Sequence, residues 1–185
     1  MRLLRIAAVV LAGAFLSGCL KSNLPELGDV PAFELTGEDG SAFRSAEELA
    51  GKVWVADFIF TTCNGPCPRM STHMQRLQEM TAEMTDVQMV SVTIDPKTDT
   101  PEVLAAYARR YKHDPARWHF LTGRPADLQA LGKDAFHLGD VNVDHSARFA
   151  LVDRKMRIRG YYELADSGAL KQLVADIASL RREVL

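Results

Sequence analysis

The chain has 185 residues, about the length of one folded domain, and its formal net charge at pH 7 is −2. With 47% hydrophobic and 25% charged residues, the composition is that of a globular protein and excludes a disordered or fibrous chain. The lack of a basic excess argues against nucleic-acid binding, and three cysteines are too few for a disulfide scaffold.

The N-terminus has the pattern of a bacterial export signal. Arg2 and Arg5 precede an apolar run over residues 6–16 that is too short to span a bilayer comfortably. Residues 16–19 read Leu-Ser-Gly-Cys and resemble a lipobox, in which the chain is cleaved before a cysteine that carries diacylglycerol. The alternatives are an ordinary signal peptide or a buried helix with an incidental cysteine.

The lipobox interpretation divides the chain into three parts. We expect a signal peptide over residues 1–18, a short flexible lipidated tether over residues 19–31 and one folded domain over residues 32–185. Cys19 would then carry the lipid and hold the protein on a bacterial cell membrane, facing the periplasm or the extracellular side.

Strand and helix patterns alternate along the domain, which predicts an α/β fold with a central mixed sheet and helices on both faces. The run of apolar residues over 53–60 is typical of a strand buried on both sides. The predicted elements are a hairpin over 33–43, a short helix from Ser45 with capping-box spacing, strands over 53–60, 87–94 and 118–122, helices over 68–84, 101–111 and 125–136, paired strands over 148–152 and 157–162, and a helix over 167–182.

A cysteine pair stands where the first buried strand passes into a helix. Cys63 and Cys67 are separated by Asn-Gly-Pro, and Pro68 follows at the helix start. The spacing lets both sulfurs meet in a disulfide or on one metal ion, and a helix N-terminus favours the thiolate. A purely structural disulfide is a weak alternative, because so small a loop removes little entropy from the unfolded chain.

Asp57 lies inside the buried strand, six residues before Cys63. A carboxyl group buried there would have a raised pKa and could exchange protons with a thiol. It could equally be solvated at a sheet face or hydrogen-bonded within the sheet.

Five histidines are candidates to complete the site, and position alone does not choose among them. We expect His113 and His119 to be solvated, His73 to lie on a core stripe with methionines, and His137 to sit at a helix end. His145 precedes a strand and could face the cysteine loop, or it could have a capping or surface role. Two thiolates and one imidazole would fit copper, whereas zinc would normally need a fourth ligand.

With these motifs the sequence resembles the Sco/SenC family of copper proteins, which assist assembly of cytochrome c oxidase. The resemblance runs from about residue 33 to the C-terminus. It is carried, in order, by residues 60–63 with Cys67 and Pro68, residues 91–96 with 99–102, residues 118–123, and residues 143–146. One departure is the Asn-Gly-Pro spacer, because many members have Cys-Pro-Asp-x-Cys. The Gly-Pro pair and the spacing of Asp57 look more like a redox thioredoxin.

The resemblance implies a thioredoxin-like fold and copper, as Cu(I) and/or Cu(II), bound by Cys63, Cys67 and His145. Asp57 and Asp144 are expected beside these ligands. The implied partner is the copper-receiving subunit of cytochrome c oxidase, with another copper chaperone or a thioredoxin-like reductant as a further partner.

The alternative function is a thiol-disulfide oxidoreductase in which Cys63 and Cys67 form the redox pair. Plain thioredoxins place a proline just before the strand that faces this pair, and the chain has no proline after Pro125. Copper delivery is therefore the favoured hypothesis, and thiol-disulfide exchange on oxidase or other extracytoplasmic cysteines is the second.

Overall fold

The computed structural model describes residues 22–138, 147–163 and 168–183. Their strands form one eight-stranded sheet in the order β1-β8-β7-β4-β5-β6-β2-β3. The strands are β1 (Gly28–Asp29), β2 (Glu34–Gly37), β3 (Ala42–Arg44), β4 (Val53–Ile59), β5 (Val87–Thr93), β6 (Trp118–Thr122), β7 (Arg148–Val152) and β8 (Arg157–Glu163).

The helices are α1 (Ser45–Glu48), α2 (Cys67–Met80), α3 (Pro101–Arg110), α4 (Pro125–Gln129) and α5 (Ala169–Arg181). A π-helical turn over Ala130–Ala135 continues α4, so the helix expected over 125–136 changes its hydrogen-bonding pattern partway along. No helix among the described residues is long and apolar enough to cross a membrane.

The predicted α/β architecture is confirmed. β4, β5 and β6 are parallel neighbours, while β7 and the outer strands pair antiparallel. All seven residues of β4 and of β5 are buried, as expected for strands covered on both faces. Residues of α2, α3 and α5 pack with one face of the sheet, and residues following α1 and residues of α4 and the π-helical turn pack with the other.

The strand directions define two ends of the sheet. At the carboxyl end, β4 and β5 finish at Ile59 and Thr93, and antiparallel β7 begins at Arg148. At the amino end, β4 starts at Val53 and β7 finishes at Val152. Loops at the carboxyl ends of strands are where open α/β sheets build their sites.

The expected capping box at Ser45 does not form. Ser45 is the first residue of α1 rather than its N-cap, and Arg44 precedes it without a capping hydrogen bond. The buried Ser45 hydroxyl instead accepts a hydrogen bond from the backbone N–H of Phe33, at 2.8 Å. Ser45 therefore fastens the start of the hairpin, a contact that local sequence spacing does not reveal.

The described part of the expected flexible tether, residues 22–31, packs against the domain instead. Gly28 and Asp29 form β1 and pair with β8, and Val30 is buried. Ser22 bonds to Glu183 beyond α5 through its backbone N–H and its hydroxyl. Most of its side chains are exposed, as the polar composition suggested, but several of its backbone groups bond to the domain. Cys19 lies outside the described residues.

Candidate functional site

Both cysteines lie at the carboxyl end of the sheet. Cys63 is in the loop after β4, and Cys67 is the first residue of α2. Both are free thiols and buried, with exposed fractions of 8% and 4%. The backbone N–H of Cys63 donates to the carbonyl oxygen of Phe60, at 3.2 Å, and the Gly65 N–H points to the Cys63 sulfur, at 3.4 Å.

The environment of Cys67 opposes ionisation of the free thiol. Burial and, to a smaller extent, hydrogen bonding with the adjacent Cys63 side chain together raise the pKa of the Cys67 thiol to about 12. A backbone hydrogen bond with Phe60 offsets only part of this effect. Desolvation of Cys67 therefore acts against the thiolate that a helix N-terminus would favour. A bound cation, or oxidation to a disulfide, would remove the proton.

Asp57 lies beneath the cysteine pair on the α2 face of the sheet. Strand alternation puts it on the same side as Val55 and Ile59, whose cluster contains both cysteines. It has no exposed surface, and neither carboxyl oxygen has a hydrogen-bond partner among the described residues. The pKa of Asp57 is raised to about 7, because burial outweighs the lowering effect of the cross-strand neighbour Ser91. The buried, raised-pKa alternative is the one that the structure shows.

Asp57 and Cys67 also interact electrostatically, since the carboxylate charge raises the pKa of the Cys67 thiol. Ser71 on α2 and Tyr107 on α3 form a second polar contact within the same cluster, with 2.9 Å between their hydroxyl oxygens. The cysteines are thus supported from below by a dry layer in which any charge is costly.

Asp99 holds the loop that carries the cysteines, a role that the sequence did not suggest. The fully buried Asp99 carboxylate accepts hydrogen bonds from the backbone N–H and the hydroxyl of Thr61 and from the hydroxyl of Thr93. It thereby joins the cysteine loop to the end of β5. The cap of α3 is Thr100, so Asp99 bonds to the cysteine loop and does not cap the helix. The available signal was the Thr-Thr-Cys run that follows β4 after Phe60.

His113 and His119 contact polar side chains, whereas the sequence predicted that both would be solvated. His137 lies at a helix end, as expected. His113 lies 3.3 Å from Glu38, and His119 lies 3.0 Å from the side-chain oxygen of Gln88, so neither is solvated. Burial lowers the pKa of His119. His137 is exposed and has a positive φ of 52° just after the π-helical turn.

His73 is half-buried on α2, and its Nδ1 atom has no hydrogen-bond partner among the described residues. Burial and the neighbouring Arg76 and Arg69 lower the pKa of His73. Met70 and Met74 beside it are buried in the core cluster, as their helical spacing indicated.

His145 and Asp144 lie outside the described residues. Ala147, the first described residue after them, packs against the core cluster that includes Cys63 and Cys67. β7 runs antiparallel to β4, with Ala150 opposite Ala56, so β7 begins at the carboxyl end of the sheet. Within residues 22–138, 147–163 and 168–183, no three His, Cys, Asp or Glu side chains form a metal-binding group.

The described geometry supports two kinds of chemistry at the cysteine pair. Two adjacent thiols are soft donors for a thiophilic metal ion, and they can also be oxidised together to a disulfide. The short loop holds them close in either case, and burial excludes water from most of the site.

Comparisons with known proteins agree with this fold. The SCO1/SenC family model matches residues 27–182. A Stutzerimonas stutzeri protein, whose name suggests copper binding, is 35% identical over 149 residues, which are 75% of this chain and 71% of that protein.

Two solved structures superpose closely. A SCO1/SenC family lipoprotein from Bacillus anthracis is 35% identical with a TM-score of 0.73, covering 83% of this chain and 95% of that one. BsSco, described as having a disulfide switch and as a member of the Sco family of cytochrome c oxidase assembly proteins, is 30% identical with a TM-score of 0.75, covering 86% and 96%. Both likenesses span nearly the whole solved chain.

Proposed function

Since this chain belongs to the SCO1/SenC family, we propose that it binds copper outside the cytoplasm and delivers it to the binuclear copper site of cytochrome c oxidase. The observation that carries the proposal is the pair of buried free thiols, Cys63 and Cys67, at the carboxyl end of the sheet. Relatives named for copper binding and for cytochrome c oxidase assembly support it.

Copper is here the cargo, and the proposed ligands are the sulfurs of Cys63 and Cys67 and the imidazole of His145. Thiolates select Cu(I), and an imidazole also suits Cu(II). The raised pKa of the Cys67 thiol fits this role, because binding must then release a proton and copper uptake becomes dependent on pH. Asp57, directly below, is proposed to receive that proton. Asp144 is proposed to orient His145 from the adjacent position in the chain.

Copper titration of the mature chain tests the ligand set. The wild type is expected to bind one copper ion, and Cys63→Ser, Cys67→Ser and His145→Ala are each expected to lose high-affinity binding. His137→Asn is the matched control, because His137 is exposed and asparagine tolerates its positive φ. Uptake that survives the loss of both cysteines and His145 contradicts the proposal.

The membrane anchor is part of the same proposal. Cys19 in the lipobox-like segment is proposed to carry diacylglycerol, and the Bacillus anthracis lipoprotein supports this assignment. The mass of the chain purified from membranes should match cleavage before residue 19 plus the acyl groups. Cys19→Ser should release the protein from the membrane fraction or block its processing.

A second candidate function is thiol-disulfide exchange on oxidase cysteines. It is favoured by the adjacency of two free thiols and by the disulfide switch described for BsSco. In this reaction Cys63 and Cys67 give two electrons and two protons to a partner disulfide, which becomes two thiols. The measurement is reduction of an oxidised, copper-free oxidase domain by the reduced chain, and no exchange at any pH excludes this function.

A further inference from the structure

The N-terminal segment is fastened to one end of the sheet. Arg159 of β8 is fully buried and donates hydrogen bonds to the carbonyl oxygens of Leu24 and Pro25 and to the hydroxyl of Ser22. Glu183, which follows α5, also bonds to Ser22 and to Arg159. Residues 22–25 are therefore bound both by β8 and by the segment after α5.

The fastening lies at the amino end of the sheet. Arg159 also pairs with Asp153, which directly follows the last residue of β7. Arg154 in the same turn donates to the carbonyl oxygens of Arg181 and Glu183 and to Asp86, the residue before β5. The elements around Ser22 thus meet where β4 and β5 begin, while Cys63 and Cys67 lie where these strands finish.

The two ends are well separated. β4 has seven residues, and at about 3.3 Å per residue it puts roughly 20 Å between the amino end and the carboxyl end of the sheet. Only two residues stand between Cys19 and Ser22, so Cys19 is within about 11 Å of Ser22, at 3.8 Å between successive Cα atoms.

We infer that the amino end of the sheet rests on the lipid surface and that the cysteine site is held about 20 Å or more above it. The inference depends on the lipid anchor at Cys19 that the proposed function includes. A lipid-bearing residue so close to a fastened segment leaves the domain little freedom to turn over.

This orientation restricts the partner. A protein that receives copper from Cys63 and Cys67 must present its metal site at a comparable height above the membrane. A flexible tether of the same length as residues 19–31 would allow transfer at any height within its reach, whereas the fastened segment does not.

Fluorescence quenching on vesicles tests the orientation. The full chain is produced in a bacterium that processes lipoproteins, and intact mass reports its acylation. It is then reconstituted in phosphatidylglycerol-containing vesicles with a short-range quencher on the lipid headgroups. A fluorescent amino acid replaces either Lys155 at the amino end or Val103 in the first turn of α3, both of which are exposed. The Lys155 probe should lose most of its emission, and the Val103 probe should keep most of its own.

A linker variant provides the control without touching the fold. Ten Gly-Ser residues inserted between Leu20 and Lys21 leave the contacts of Ser22, Leu24 and Pro25 intact but add about 17 Å of flexible chain. The difference between the two probes should then largely disappear. Equal quenching of both probes in an acylated wild-type chain overturns the orientation alone. A chain whose mass shows no acyl group overturns the anchor, and the orientation with it.

Discussion

At the scale of single residues, burial changes the chemistry of the site more than residue type does. An aspartate in water has a pKa of 3.8, yet the pKa of Asp57 is raised to about 7 because its carboxyl group is completely desolvated. The folded state therefore prefers the protonated form more than the unfolded chain does. The stability that this preference contributes is complete below pH 3.8 and is lost as the pH rises through about 7.

Asp57→Asn should stabilise the metal-free protein above neutral pH. A shift of about three pKa units corresponds to roughly 4 kcal/mol, which sets the upper limit of the gain in unfolding free energy at pH 8. The gain should become small near pH 3.5, because the carboxyl group is then mostly neutral in both states. Urea unfolding at pH 3.5, 6 and 8, followed by the fluorescence of buried Trp54 and Trp118, measures it.

The exposed Asp134 supplies the control for this measurement. Asp134→Asn removes the same charge from the protein but should leave the pH dependence of stability unchanged. An equal gain for Asp57→Asn at all three pH values would show that the buried charge is not the cause.

At the scale of elements, the site depends on contacts between segments that are distant in sequence. The cysteine loop follows β4, but its conformation is fixed by Asp99, which lies between β5 and α3. Because hydrogen bonds to a charged acceptor stabilise more than neutral ones, this single carboxylate couples the two strand ends strongly.

Asp99→Asn should loosen the cysteine loop. The amide keeps one acceptor oxygen but presents a donor to hydroxyl and N–H groups, so we expect a loss of about 2–3 kcal/mol in unfolding free energy. Cys63 should also react faster with a thiol reagent such as dithionitrobenzoate under native conditions. Amide hydrogen exchange at Thr61 gives an independent measurement.

Two further variants distinguish loop anchoring from a general loss of stability. Thr61→Val removes one of the hydrogen bonds to Asp99 and should produce a smaller increase in Cys63 reactivity. Asp95→Asn, four residues earlier, should leave reactivity unchanged. If both aspartate variants increased it equally, the role of Asp99 in positioning the loop would be refuted.

At the scale of the whole molecule, one buried arginine joins the two termini of the described chain. Arg159 links residues 22–25, the turn after β7 and the segment after α5. The burial of Asp153 and Glu183 works against their ionisation, but hydrogen bonds, including those from Arg159, lower the pKa of both carboxyl groups overall. Their contribution to stability is therefore present above their unfolded pKa values and is lost as the pH falls through the lowered folded values.

Arg159→Met should destabilise the protein by about 3 kcal/mol, because the Asp153 and Glu183 carboxylates each lose one cationic partner, although Asp153 keeps Arg157. The loss should be largest near neutral pH and smaller in acid, where the carboxylates become neutral. Limited proteolysis should also cut residues 22–30 earlier than in the wild type. Chemical unfolding at pH 4 and pH 7 measures the first effect, and mass spectrometry of the fragments measures the second.

Arg124→Met is the matched control, since Arg124 forms an ion pair with Asp127 that is open to solvent. Its removal should change stability little. If both arginine variants had the same small effect, residues 22–25 would not be fastened by Arg159.

Sequence patterns predicted most of the fold, because strands and helices each produce a local periodicity of apolar residues. The strands at 118–122 and 148–152 have the predicted bounds, and the strand from Val53 ends one residue before the predicted position. The polar side chains and the Gly-Pro content of residues 22–31 are typical of a linker and do not reveal that β8 and Arg159 supply partners for its backbone.

By itself the sequence determined the α/β architecture, the place of Cys63 and Cys67 at a strand end and the membership of the family. These follow from apolar periodicity and from residue identities at fixed spacing. Tertiary structure alone decided the protonation of Cys67 and Asp57, the anchoring of the cysteine loop by Asp99 and the docking of the N-terminal segment. The reason is that desolvation and buried hydrogen bonds depend on which segments meet in space, and the interacting groups are separated by as many as 161 residues.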